Sequence, residues 1–97
     1  MSDVAGGLVA ALVACARGAK PIQWTTTPWC SATFTGERHE ILLAFPNVDA
    51  ARRFAAGLPD HVFTIANRLV ADIVSGPPMR CDNHIRISVE ALTITES

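Results

Sequence analysis

Charged side chains are scarce in this sequence, at 18% of 97 residues against about 25% in ordinary globular chains. The positive ones never gather: Lys20 and seven arginines are scattered, and only Arg52 and Arg53 are adjacent. Binding a phosphate backbone needs clustered positive charge to displace counterions, and an anionic membrane surface needs a polybasic patch. With a net charge of −1 and no such cluster, neither nucleic acid nor membrane is expected as a partner.

Long apolar runs, paired cysteines and cofactor motifs are missing as well. The most apolar stretch, residues 4–16, is 13 residues long, too short to span a bilayer. Within it Leu12-Val13-Ala14-Cys15 resembles a lipoprotein signal box, but a signal segment needs a positive start, and Asp3 is the only charge before Arg17. A structural helix is expected instead, with Ser2 and Asp3 at its start, Arg17 in its last turn and Gly18 as its stop. Cys15, Cys30 and Cys81 are odd in number and lack paired spacing, which reads as reduced thiols in a cytoplasmic setting. The sequence has no glycine-rich phosphate loop, no paired-histidine metalloprotease helix and no nucleophile elbow, and no cofactor is expected.

Apolar side chains are what the chain does have, at 49%. Its length fits a single domain over residues 1–97, burying roughly two thirds of the surface that the unfolded chain exposes. Monomers seldom leave large apolar patches bare, so some apolar surface is expected to be covered by another subunit or a ligand. The alanine content weakens that expectation, because alanine sits easily on a surface.

Residues 41–74 read as strand, helix, strand. Ile41-Leu42-Leu43-Ala44-Phe45 is a run of buried-strand type closed by Pro46, and a helix signature follows. Asn47 can cap that helix, Asp49 puts negative charge at the positive end of its dipole, and Gly57 and Pro59 end it. Val48, Ala51, Phe54, Ala55 and Leu58 share one face that needs a sheet to cover, with Asp49, Arg52, Arg53 and Ala56 elsewhere on the helix. Upstream, residues 29–35 alternate as a strand, and Gly36-Glu37 is expected to turn it back as a type II′ loop. That register pairs Phe34 with His39 and Ala32 with Ile41. It puts Cys30, Ala32, Phe34, Ile41, Leu43 and Phe45 on the core face and leaves His39 as an exposed strand-end residue.

Downstream, residues 61–65 read as a strand, 66–68 as a turn and 69–74 as another strand, with Asp72 facing solvent. Residues 75–83 are expected to be a loop, since Pro77-Pro78 fits neither a helix nor a strand interior. From His84 to Thr95, Ile85, Ile87 and Val89 occupy one face. The pattern changes phase at Ala91-Leu92, which predicts a bulge or a strand end leaving the sheet.

These elements predict an α+β fold, a two-layer sandwich in which an antiparallel sheet of four to five strands carries two helices on one face. The order is α-β-β-α-β-β, and a ferredoxin-like arrangement with permuted connectivity is one form of it. The residues with chemistry to offer are few. Cys81-Asp82-Asn83-His84 places a thiol and an imidazole at a spacing usable for one metal ion, but zinc needs further ligands and no second half-motif exists. Cys81 with His61 or His84 and Asp72 or Asp60 supplies the residue types of a nucleophilic site without its geometry. Trp24 and Trp29 flank three threonines and can line a groove; the plainer reading is a short edge strand whose indoles close one end of the core. The candidate ligand-binding residues are thus Trp24, Trp29, Arg80, Cys81, Asp82 and His84. The expected function is a non-enzymatic binding or protein-interaction module acting as a homodimer. It would associate through the bare face or free edge of the sheet and the apolar first helix. The alternative is a small-molecule-binding protein or enzyme with a site between Trp24/Trp29 and the loop from Arg80 to His84.

Overall fold

Strand alternation decides which side of a sheet turns inward. In β2 (Thr35–Phe45), His39, Ile41, Leu43 and Phe45 are buried. In β5 (His84–Thr95), Ile85, Ile87, Val89, Ala91 and Thr93 are buried likewise. The two strands pair antiparallel, so that Phe45 meets Ile85, Leu43 meets Ile87 and Ile41 meets Val89. This ladder is the floor of the core. The structure, a computed structural model, describes residues 3–16, 18–60 and 68–95. Around the ladder it places α1 (Asp3–Cys15), β1 (Lys20–Cys30), α2 (Val48–Gly57), a 3-10 turn (Leu58–Asp60), β3 (Arg68–Ser75) and β4 (Met79–Cys81).

The sheet runs β1-β2-β5-β3 with every pairing antiparallel, and the short β4 also lies against β5. Both helices cover the same side. Leu8, Val9 and Leu12 of α1, Ala51 and Phe54 of α2, and Leu58 after it share one core with the inward strand residues. The architecture is therefore the two-layer α+β sandwich, with β4 as a strand beyond the expected order. β2 and β3 are both antiparallel to the β5 between them, so they run parallel to each other with α2 as their crossover. Placing β5 at the start of the chain order instead of its end would give the ferredoxin-like order, so the topology is that one, permuted.

The helices form for local reasons. Asn47 caps α2, its Oδ1 accepting the Ala50 N–H at 2.8 Å, and Asp49 sits in the first turn. Phe54 then stacks tilted on Phe45 with ring centroids 5.2 Å apart, worth about 1 kcal/mol beyond the area buried. α1 stops as the Ala16 N–H reaches back to the Leu12 carbonyl at 2.9 Å. The chain then turns on Gly18 at φ +81, a conformation that costs a residue with a Cβ about 1–2 kcal/mol. Ser2 and Arg17, expected at the ends of this helix, lie outside the described residues. Among the described residues no helix is long and apolar enough to cross a membrane.

Three expectations are corrected. The first hairpin turns at Ser31–Phe34 and not at Gly36-Glu37. Ser31 N–H donates to the Phe34 carbonyl at 2.7 Å and Ser31 Oγ accepts the Phe34 N–H at 3.1 Å, so Cys30 pairs with Thr35 and Trp29 with Gly36. Gly36 is a glycine for another reason: a Cβ there would run into the backbone carbonyl of Thr93 in β5. The shift leaves Cys30, Ala32 and Phe34 exposed and buries His39.

Second, β5 does not change phase. Ala91 and Thr93 continue its buried side, and Leu92 and Ile94 lie on the opposite face, in register with β2 and β3. The irregularity is on β3, between Val70 and Asp72. Third, residues 75–83 are not all loop. β4 pairs with the start of β5 through a tight turn at Asp82-Asn83, with Asp82 at φ +47, which aspartate tolerates better than most residues. Pro77 and Pro78 precede β4 and so cost it no ladder bond. The strand read at residues 61–65 and the turn through residue 67 lie outside the described residues, while β3 is the strand read at 69–74 and its partner is β5.

Candidate functional site

Among the described residues, β1 has a strand neighbour on one side only. Between Pro21 and Pro28 it carries Ile22-Gln23-Trp24-Thr25-Thr26-Thr27, with no charge. All of these but Thr26 are exposed. Which backbone groups face outward follows from the turn. Ser31 and Phe34 form a hydrogen-bonded pair, and antiparallel pairs alternate between bonded and non-bonded. Counting back along the register, Trp29, Thr27, Thr25 and Gln23 exchange bonds with β2. Thr26 and Trp24 turn their N–H and C=O groups to the free side. Pro28 falls among the outward positions, where its missing N–H takes nothing from the sheet.

The opposite edge is blunted. β3 is bulged and bears the exposed Asp72, and β4 is three residues long and stands behind Pro77-Pro78. Bulges, charges, prolines and short strands are the devices that keep an edge from recruiting another chain. β1 has a bulge between Pro21 and Gln23 near its start and prolines at positions 21 and 28, and from Gln23 to Thr27 it has none of these devices.

Behind β1 lies a buried polar cluster. His39 and Thr93 are fully buried. Thr93 Oγ1 donates its one proton to the Glu37 carbonyl at 3.3 Å, so the 2.9 Å contact with His39 Nε2 has the imidazole N–H as donor. That leaves Nδ1 as an acceptor, and Thr26 Oγ1 donates to it at 3.1 Å. Every hydrogen-bonding position of a neutral imidazole is thus used. Burial holds its pKa below the ordinary histidine value, against an opposing pull from Glu37. With no access to solvent, His39 is a buried tie between β1, β2 and β5. Its burial is the feature that sequence reasoning missed, although it shares the parity of Ile41, Leu43 and Phe45.

The six candidate ligand residues fall into separate places. Trp24 and Trp29 are five apart on one regular strand segment, and an odd separation puts them on opposite faces. Trp24 pairs with Ile41 on the core side and Trp29 with Gly36 on the other. Trp24 is 40% exposed, and the Trp29 indole nitrogen is buried without a hydrogen-bond partner among the described residues. Arg80, Cys81, Asp82 and His84 are gathered on the β4–β5 hairpin. Arg80, Asp82 and His84 line a pocket of about 240 Å³ together with Asn47 at the start of α2, and His84 Nε2 accepts the Arg86 Nε–H at 3.0 Å. The hairpin joins β5 at Ile85, whereas the row of Trp29 crosses β5 at Ile94, roughly 30 Å further along the strand. The structure therefore does not bring the hairpin and Trp29 together.

Cys81 and His84 are direct cross-strand neighbours, but among the described residues no three His, Cys, Asp or Glu side chains gather to hold a metal. Asp72 pairs at Leu92, far along β5 from His84. The bare face of the sheet carries Arg38 and Glu90, 3.8 Å apart and more than half exposed, a pair worth under about 1 kcal/mol. No protein-family model, curated protein or solved structure matches the chain.

Proposed function

We propose that this protein is a non-enzymatic association module that works as a homodimer through the free edge of its sheet. The observation that supports this is the contrast between the two edges. One is bulged in its middle, bears Asp72 and continues past Pro77-Pro78 only as the three-residue β4; the other, β1, is bulged only near its start, between Pro21 and Gln23, and has neither charge nor proline from Ile22 to Thr27. A strand edge of that kind is a template for another strand, with main-chain bonds supplying affinity. All three cysteines are free thiols, which fits the reducing, cytoplasmic setting the sequence reading favours.

The second reading, a small-molecule site at the β4–β5 hairpin, rests on the pocket beside Arg80 and His84. At about 240 Å³ it is smaller than the roughly 300–1,000 Å³ of ordinary ligand sites, and the tryptophans meant to wall it are elsewhere. Light scattering over a dilution series separates the two readings. A mass of twice the chain, falling toward that of one chain on dilution, is the expected result. A monomer at every concentration would overturn the association role.

A further inference from the structure

We infer that the occupant of the β1 edge is the β1 strand of a second copy, paired antiparallel about a two-fold axis through Thr25. This rests on the association role above and names its partner and register. In such an isologous contact each residue is set against a residue of the same strand, so any charge in the middle of the strand would meet its like. From Pro21 to Cys30 there is none.

The outward backbone groups fix the register. Centred on Thr25, Trp24 of each copy faces Thr26 of the other, and each such pair exchanges both of its bonds. All eight outward N–H and C=O groups of Trp24 and Thr26 in the two copies are then satisfied by four bonds. Centred on Thr26, the Trp24 carbonyl would face Pro28, which has no N–H to give. Centred on Trp24, Thr26 would face Ile22, which the register shift between Pro21 and Gln23 leaves without a partner position. The Thr25 register alone keeps both pairs of Trp24 and Thr26 within the regular part of the strand, and an unpaired backbone group costs free energy comparable to a lost hydrogen bond.

Side chains agree with this register. The two Thr25 side chains oppose each other in a non-bonded pair, where strands approach most closely, and Thr–Thr is a favourable cross-strand pair. On the core side the two Trp24 side chains, 40% exposed in one copy, become diagonal neighbours within reach of each other. The result is one sheet continuous through both copies.

The test places charge on the axis. Thr25 is exposed and its backbone bonds go to β2, so Thr25→Lys and Thr25→Glu leave the fold in place, which circular dichroism checks. Each variant alone is expected to sediment as a monomer at concentrations where the native chain is a dimer, and an equimolar mixture of the two is expected to return to the dimer. Arg52→Glu, a larger charge change on the exposed face of α2, is expected to leave the dimer intact. A second variant does not rely on repulsion. Thr25→Cys in a Cys30→Ser background is expected to cross-link to itself under mild oxidation, since a Cα separation of about 4.5 Å in a non-bonded pair suits a disulfide. Thr27→Cys in the same background is not.

If the native chain dimerises but the charged variants still do so, or the mixture stays monomeric and Thr25→Cys fails to cross-link, this register is wrong while the association role stands. A native chain that is monomeric throughout overturns both.

Discussion

His39 shows how one side chain couples the fold to pH. Its neutral form is the one that the cluster with Thr26 and Thr93 holds, and burial lowers its pKa in the folded state. The unfolded chain therefore binds the proton more readily than the folded one. Stability is fully present above the unfolded histidine value of about 6.5 and is lost as pH falls from there toward the lowered folded value. Denaturant midpoints measured from pH 7.5 to 5.5 are expected to fall more steeply for the native chain than for His39→Gln, whose amide does not titrate. Equal slopes would remove His39 as the source. Gly36 gives a second residue-scale outcome. Because a Cβ would meet the Thr93 backbone rather than a movable side chain, Gly36→Ala is expected to cost about 2 kcal/mol in chemical denaturation, the scale of an overpacked core. If glycine were there only for turn geometry on the surface, that loss would be far smaller.

Among the elements, α2 was legible and the first hairpin was not, and the difference is one of range. Asn47, Asp49 and Gly57 act on backbone within a few residues of themselves, so the helix and its cap follow from adjacent sequence. The sequence put the hairpin turn at Gly36-Glu37, whereas it forms at Ser31–Phe34. The choice between them was made by β5, whose backbone passes so close that position 36 has no room for a side chain. β4 was hidden because Pro77-Pro78 reads as a breaker even where it only precedes a strand. β1 carries an element-scale prediction of its own. In hydrogen exchange on dilute, monomeric protein, the amides of Trp24 and Thr26 are expected to exchange fast and those of Thr25 and Thr27 slowly, because the first pair points to solvent and the second to β2. At concentrations that support a dimer the first pair is expected to slow as well. Uniform protection along β1 in dilute protein would mean that the alternation is misassigned.

At the scale of the whole molecule, the candidate site became visible only after the strands were ordered. The parity of Ile41, Leu43 and Phe45, the cap at Asn47 and the alternation of Ile85, Ile87 and Val89 determined two strands, a helix and the face each buries. Hydrophobic period alone is enough for that. The α+β class followed, as did the lack of a basic footprint for nucleic acid. Sequence spacing carries no information on which strands end up at the edges, since a strand reads much the same with one neighbour or two. The order β1-β2-β5-β3 decided it. That order left the uncharged run from Ile22 to Thr27 unpaired on one side among the described residues and buried His39 behind it. It also carried the Arg80 to His84 hairpin to the other end of the sheet from Trp29. Local chemistry chose the elements; long-range pairing, which satisfies backbone groups between residues more than fifty positions apart such as Glu37 and Thr93, chose which surface was left free.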